Sequence, residues 1–554
     1  MISGTEVVSE RPIQSWAAIE MENLHQLEII ILLLAVVLAL TTLARLIFLP
    51  YPILLVIGGL VLAVVPGVPT VTLNPDLVFL VFLPPILAAA AYFTSLREFR
   101  ANIRPISLLA VGLVLATTAA VAVAAHVLLG FGWAEAVALG AIVSPPDAVS
   151  ATAIGKRLNM PHRVVTILEG ESLVNDATAL VLYRTAVAAT VSGAFVWGET
   201  LLQFLYAAVA GIAVGFLVGI VTRWVLYLVE DSFTEVAVTL LGPYVAWVIG
   251  ESIHASSVLA CVVWGLYLRQ HVSRIVSPAT RIQGRAVWDL LIFLLNGVIF
   301  ILIGLQLAAL RADISTERLG SVMLGGALIS VTVILVRLGW VPLAAMLPRV
   351  LSASIRKRDP MPPWPHIFLV SWIGMRGIVT LAGAMALPMT INSGAPFPFR
   401  TEIILLSFSV ILSTLVIQGL TLTPLIRRLG VAEGSAWEQE EIQARRHAAG
   451  AALSRLNELK VEAWPKPDHV DQLQGHYGKR LDDISSNGAV SPETIQETNE
   501  ALLRLKEAAL VAERSALIRL RDEGTISDEV LHRLEQELDI EALRLGLGER
   551  RIPW

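Results

Sequence analysis

Cysteine is almost absent: one residue, Cys261, stands in 554. A single thiol excludes an intramolecular disulfide framework and a cysteine-built metal cluster, and its ordinary fate is that of a small buried hydrophobe. Charge is scarce too. Only 16% of residues are Asp, Glu, Lys or Arg, against about 25% in an ordinary soluble domain. With 55% hydrophobic residues and a mean hydropathy of +0.70, that scarcity excludes a disordered chain, a nucleic-acid-binding module and an ordinary cytosolic enzyme. Three catalytic signatures are missing. There is no GxxxxGK[ST] loop for ATP, no HExxH metalloprotease helix and no GxSxG nucleophile elbow. The histidines, among them His126, His254 and His366, are scattered and make no metal-ligand spacing.

The charge that is present is unevenly placed. Residues 428–554 hold 17 of the 41 Lys and Arg and 24 of the 46 Asp and Glu. This predicts three parts: a short N-terminal segment (1–25), a long apolar body (26–427) and a soluble, acidic, helical tail (428–554). In the body, runs of about 20 apolar residues, enough to span a bilayer, recur. They fall near 26–46, 51–66, 76–93, 105–129, 132–156, 164–189, 200–222, 236–250, 256–269, 286–310, 319–347, 366–389 and 402–426. The first run is too long for a signal peptide, and acidic residues precede it (Glu6, Glu10, Glu20, Glu22), so it reads as a true span. The fold expected is an all-α polytopic membrane protein of about thirteen spans.

Lys and Arg set the orientation. One set of alternate loops carries eighteen of them, including Arg97, Arg100, Arg104, Arg163, Arg349 and Arg356, while the opposite set carries only Arg11, Arg311, Arg318 and Arg400. The positive-inside rule makes the first set cytoplasmic, which places the N-terminus outside and the tail inside. Spans one to six and eight to thirteen can then be inverted repeats, with spans five and twelve in corresponding places. Both are interrupted, one at Ser144-Pro145-Pro146-Asp147 and the other at Gly374-Met375-Arg376-Gly377.

Ionisable groups inside a bilayer are costly and mark function by default. Pro145 and Pro146 each remove a backbone donor, which frees the carbonyls of Ala141 and Ile142 beside Asp147. Carbonyl and carboxylate oxygens together suit a hard cation such as Na⁺. Asp176 lies thirteen residues beyond Arg163, about 20 Å into a core about 30 Å thick. Ser172 shares its helix face at i−4, and the adjacent Asn175 can hold a neighbouring broken helix. Glu171 points elsewhere and needs its own partner, whereas Glu169 sits nearer the cytoplasmic end. Arg376 cannot discard its charge, and Glu171 is its expected partner in a structural ion pair. Arg337 also needs a partner, which the sequence does not name. Arg184 is expected to snorkel at the outer interface.

These segments resemble a known family. The run Ser144-Pro145-Pro146-Asp147-Ala148-Val149, the run Leu168 to Asp176 (LEGESLVND) and Gly374-Met375-Arg376-Gly377 are similar to the bacterial branch of the monovalent cation/proton antiporters, the NhaP and NHE type. Phe82-Leu83-Pro84-Pro85 and Phe293-Leu294-Leu295-Asn296-Gly297 match as well, and Leu520-Arg521-Asp522-Glu523-Gly524 resembles the charged extension of bacterial members. The resemblance implies a homodimer in the bacterial inner membrane, each protomer with crossed broken helices in a six-helix transport bundle. It implies that Asp176 takes either a proton or the cation, that Asp147 and Ser172 coordinate, and that Glu171 pairs with Arg376. Many members carry Thr-Asp-Pro in the broken helix; here Pro146 and Ala148 replace the threonine and the second proline.

The function expected is secondary antiport of Na⁺, or of K⁺ or Li⁺, against H⁺. The two compete for Asp176, with Asp147, Ser172 and Asn175 in the site and the carbonyls of Ala141, Ile142 and Pro146 as further ligands. One carboxylate neutralised either way gives electroneutral exchange without cofactor, ATP or nucleic acid. The implied partners are membrane lipid, a second copy of the chain, cations and protons, and the role is pH and sodium homeostasis. Two other readings are a cation channel and a membrane-anchored sensor acting through its tail. In the tail, Ser491-Pro492-Glu493 reads as a helix start and Gly524 as a helix end. Trp464-Pro465-Lys466-Pro467 and Ser485-Ser486-Asn487-Gly488 read as linkers.

Overall fold

The computed structural model describes residues 13–47, 50–63, 65, 78–147, 160–193, 197–229, 231–312, 316–431, 436–460, 462, 467–486 and isolated positions between 510 and 541. Among them every regular element is helical, apart from an isolated bridge between Thr390 and Pro396. The chain divides into two compact units, Met1–Glu433 and Gly434–Trp554.

The first unit begins with α1 (Ile13–Leu46), α2 (Tyr51–Leu62) and α3 (Leu83–Phe93), the last entered through a wide π turn at Val78–Phe82. Short α4 (Leu96–Ala101) leads into α5 (Ile103–Leu129), which widens at Leu108–Leu113, and then into α6 (Trp133–Val143). Next come α7 (His162–Ser192), α8 (Trp197–Leu228), α9 (Ser232–Ser252), α10 (Ser257–Ile275), α11 (Pro278–Ala312) and α12 (Thr316–Leu351). Short α13 (Ala353–Arg358) precedes α14 (Trp364–Trp372), α15 (Ile378–Met385) and α16 (Arg400–Leu429).

Where they are described, the apolar runs of the sequence fall on these helices, the run 366–389 being divided between α14 and α15. Among the described residues six are long and apolar enough to cross a membrane: α5, α8, α9, α11, α12 and α16. Others are short because they are broken: α6 stops at Val143, and α14 and α15 are separated by Ile373–Gly377. The second half of the run at 132–156, with Ala148, lies outside the described residues. Helix α1 starts at Ile13, ahead of the apolar run. Good helix formers such as Glu20, Met21 and Glu22 give the helix no reason to stop at the end of the apolar run.

Packing is close where side chains are smallest. A Cβ at Gly59 or at Gly304 would run into the other helix's backbone, so α2 and α11 meet main chain to main chain. Cys261 is fully buried, with its Sγ 3.3 Å from the Pro243 carbonyl inside α9. Along α8 large apolar side chains such as Leu205, Val209, Leu217 and Trp224 are exposed, a surface suited to lipid.

The second unit contains α17 (Ala436–Leu459) and α18 (Pro467–Ser486). They run antiparallel, joined by Gln474 Nε2 donating to Asn457 Oδ1 (2.6 Å) and by Lys460 Nζ on Asp471 Oδ1 (2.8 Å). The predicted helix start at Ser491, the predicted helix end at Gly524, most of the first predicted linker and half of the second lie outside the described residues.

Candidate functional site

Two interrupted helices meet break to break. Helix α6 ends at Val143, where Pro145 and Pro146 supply no backbone donors, and the chain runs on without regular structure through Asp147. The gap between α14 and α15 lies against it. The Asp147 amide donates to the Met375 carbonyl (2.7 Å), and Arg376 Nε donates back to the Val143 carbonyl (2.9 Å). Gly377 is required by this approach: the Asp147 carboxylate occupies the space where a Cβ would stand.

A cavity of about 240 Å³ opens beside the crossing. Asp176 and Ser172 line it from one face of α7, with Glu169 a further turn toward the basic end. Pro146 and Asp147 line it from the break. Asp176 is 6% exposed, and no hydrogen-bond donor meets its carboxylate among the described residues. Asn175 is fully buried. Its Nδ2 donates to the Pro146 carbonyl (3.0 Å), while its Oδ1 has no partner among the described residues. Of the residues picked from the sequence, Asp176, Asp147, Ser172 and Pro146 therefore border one cavity, and Asn175 ties its two walls together.

Two expectations are corrected. Glu171 does not pair with Arg376. It pairs with Arg337 of α12 in a two-pronged bridge, Nη1 to Oε1 at 2.5 Å and Nη2 to Oε2 at 2.8 Å, with both residues 1% exposed. Arg337 Nε also reaches the Val370 carbonyl (3.2 Å). The physical reason lies in the breaks. Interrupted helices release carbonyls that lack intrahelical donors. Arg376 sits among them, bonded to Val143 (2.9 Å), Ser144 (3.2 Å) and Gly374. Arg337 lies within the unbroken α12, so the carboxylate goes to it.

The second correction concerns the carbonyls. Neither Ala141 nor Ile142 lines the cavity, and the Ala141 carbonyl accepts from Ser144 Oγ (3.0 Å). The carbonyls of Val143 and Ser144 face a cation, but it is the guanidinium of Arg376. Pro146 does line the cavity, and its carbonyl accepts from Asn175 Nδ2. Arg184 is about half exposed and binds Glu251 (2.8 Å).

Sequence reasoning missed Asn296 of α11, Thr380 of α15 and Asp289, which line the same cavity. Asn296 carried a visible signal, a lone amide in an apolar run, and stands 2% exposed. Thr380 follows the second break by three residues and is 1% exposed.

Comparison with known proteins supplies the context. The model of the "sodium/hydrogen exchanger, transmembrane" family matches residues 31–428. An uncharacterized Na⁺/H⁺ exchanger of Mycobacterium tuberculosis is 34% identical over 498 residues, 89% of this chain and 91% of its own. A sodium, potassium, lithium and rubidium/H⁺ antiporter of Bacillus subtilis is 28% identical over 525 residues, 91% of this chain and 77% of its own. The sodium proton antiporter structure MjNhaP1 from Methanocaldococcus jannaschii superposes with a TM-score of 0.58 at 20% identity, covering 74% of this chain and all of that one. That last likeness concerns the fold.

Proposed function

The chain belongs to the sodium/hydrogen exchanger family, and from that premise we propose that it exchanges a monovalent cation for a proton by competition at Asp176. One observation carries the reading: a buried carboxylate that meets no donor among the described residues lines a cavity together with Asp147, Ser172 and Pro146. A bare carboxylate in a bilayer core is costly, and either H⁺ or a cation neutralises it. The loaded site can then change sides and the empty charged site cannot, which couples the two ions without ATP. Asp147 and Ser172 offer oxygens to the cation, and Asn175 holds the broken helix in register with α7. Arg376 and the Glu171–Arg337 bridge fix the scaffold.

One positive charge carried each way makes the exchange electroneutral. The name of the Bacillus relative supports a site open to Na⁺, K⁺ and Li⁺ alike. A homodimer in a cell membrane, with the N-terminus outside and the tail inside, serving pH and sodium homeostasis, completes the reading. The test is a proteoliposome loaded with a pH dye, with voltage clamped by an ionophore and Na⁺, K⁺, Li⁺ or Rb⁺ added outside. Cation-driven proton movement is expected in the wild type, and Asp176→Asn should reduce it to background. Undiminished movement in Asp176→Asn would refute the assignment. Conductance without proton movement would point to a channel.

A further inference from the structure

Away from the cavity, at the basic ends of the helices, one carboxylate holds three guanidiniums. Asp359 binds Arg104, Arg163 (2.9 Å) and Arg349 (2.8 Å), and its carbonyl accepts from Arg349 Nε (3.0 Å). These arginines come from the starts of α5 and α7 and the end of α12. Arg349 is 7% exposed and each of its three nitrogens donates, one of them to the Ala345 carbonyl (2.5 Å). Arg104 and Arg163 are different. Their side chains are 30% and 42% exposed. Arg104 spends one donor on Asp359, and Arg163 spends two, on Asp359 and on Asn102 Oδ1 (3.1 Å). Both retain N–H groups without a partner among the described residues. The cluster therefore has more positive charge than Asp359 neutralises, and Arg356, Lys357 and Arg358 of α13 add to it.

Directly beneath the arginines is an apolar slot of about 70 Å³. Arg104, Arg163 and Arg349 lie on its lining, and Leu109, Ile167 and Val341 are among its walls. Its volume fits roughly two water-sized groups, which is the start of an acyl chain rather than a whole lipid. A multi-pass protein presents this combination to the headgroup layer. Free phosphate or sulfate would satisfy the guanidiniums but leave the apolar walls unused, whereas an anionic phospholipid uses both.

We propose that Arg104, Arg163 and the apolar slot between α5, α7, α12 and α14 form a binding site for one anionic phospholipid. The phosphate oxygens take the unspent guanidinium donors, the forked geometry that arginine offers to phosphate. The first methylenes of a chain enter the slot. The lipid supplies the countercharge that Asp359 alone does not, and it joins four helix ends.

The test is native mass spectrometry of the purified full chain with phosphatidylglycerol and phosphatidylethanolamine of identical acyl chains. The wild type is expected to retain phosphatidylglycerol selectively. Arg104→Gln with Arg163→Gln should weaken that retention on the order of thirtyfold, from the usual worth of a basic residue near an anionic lipid. Arg104→Lys with Arg163→Lys should restore part of it. Arg97→Gln, a basic change outside the cluster, should leave it unchanged. Unaltered retention in the double Gln variant would overturn the proposal, as would an equal loss in Arg97→Gln. Full displacement by inorganic phosphate would overturn it in favour of a free-anion site. Ion exchange in proteoliposomes shows that the variants are folded, so a misfolded protein is not read as a loss of lipid.

Discussion

Glu171 and Arg337 show what a buried charge costs and what it holds. Both are 1% exposed, and each satisfies the other through two hydrogen bonds. Removing one partner leaves the other buried and unpaired, at a cost of about 3–5 kcal/mol. Glu171→Gln or Arg337→Met alone is therefore expected to lower the thermal unfolding temperature in detergent sharply, and the double change should recover most of the loss. Additive losses in the double variant would show that the pair is not the source. Asp359, in a loop outside the membrane, gives a prediction with a pH sign. Partial burial pushes its carboxyl up, but Arg163, Arg349 and Arg104 outweigh this and hold it below the ordinary carboxylate range. Its stabilising contribution is then complete above the unfolded value of about 3.9 and is lost as pH falls through the folded value. Asp359→Asn should be less stable than wild type at neutral pH, and the gap should close in acid. A gap that widened on acidification would contradict the clamp.

The crossed breaks are the element that positions the site, and Gly377 is where they touch. A methyl there takes the space of the Asp147 carboxylate. Gly377→Ala is expected to remove most cation-driven proton movement while the purified protein stays monodisperse; normal exchange would show that the contact has room to give. The breaks were legible in the sequence because the paired prolines Pro145-Pro146 remove two successive backbone donors and the glycines Gly374 and Gly377 are poor helix formers flanking a buried charge. The shared face of Ser172 and Asp176 was legible for an equally local reason, the helical repeat. The partner of Glu171 was not. Sequence spacing says which way a side chain leaves its own helix, but two buried arginines compete for the carboxylate from other helices. The outcome rests on which of them the free carbonyls of Val143, Ser144 and Gly374 satisfy first. Asn296 and Thr380 escaped for the same reason, since they join the cavity only through the packing of α11 and α15.

At the scale of the whole molecule, the division into an apolar body and a charged tail followed from composition, and the structure has two compact units, Met1–Glu433 and Gly434–Trp554. The Asp176 cavity lies wholly in the first. Deleting residues 428–554 should accordingly preserve cation-driven proton movement, and its abolition in a folded truncated protein would give the tail an essential role. The central claim is that one carboxylate, Asp176, is held by a proton or by the cation and never by both. It is tested most directly by adding Na⁺ to purified protein in weak buffer and following proton release with a pH dye, in the wild type and in Asp176→Asn. Competition at Asp176 predicts that Na⁺ expels protons from the wild type, less so as the pH rises and the site empties of protons, and that Asp176→Asn releases none. Equal release from Asp176→Asn, or Na⁺ binding without proton release in the wild type at any pH, would contradict it.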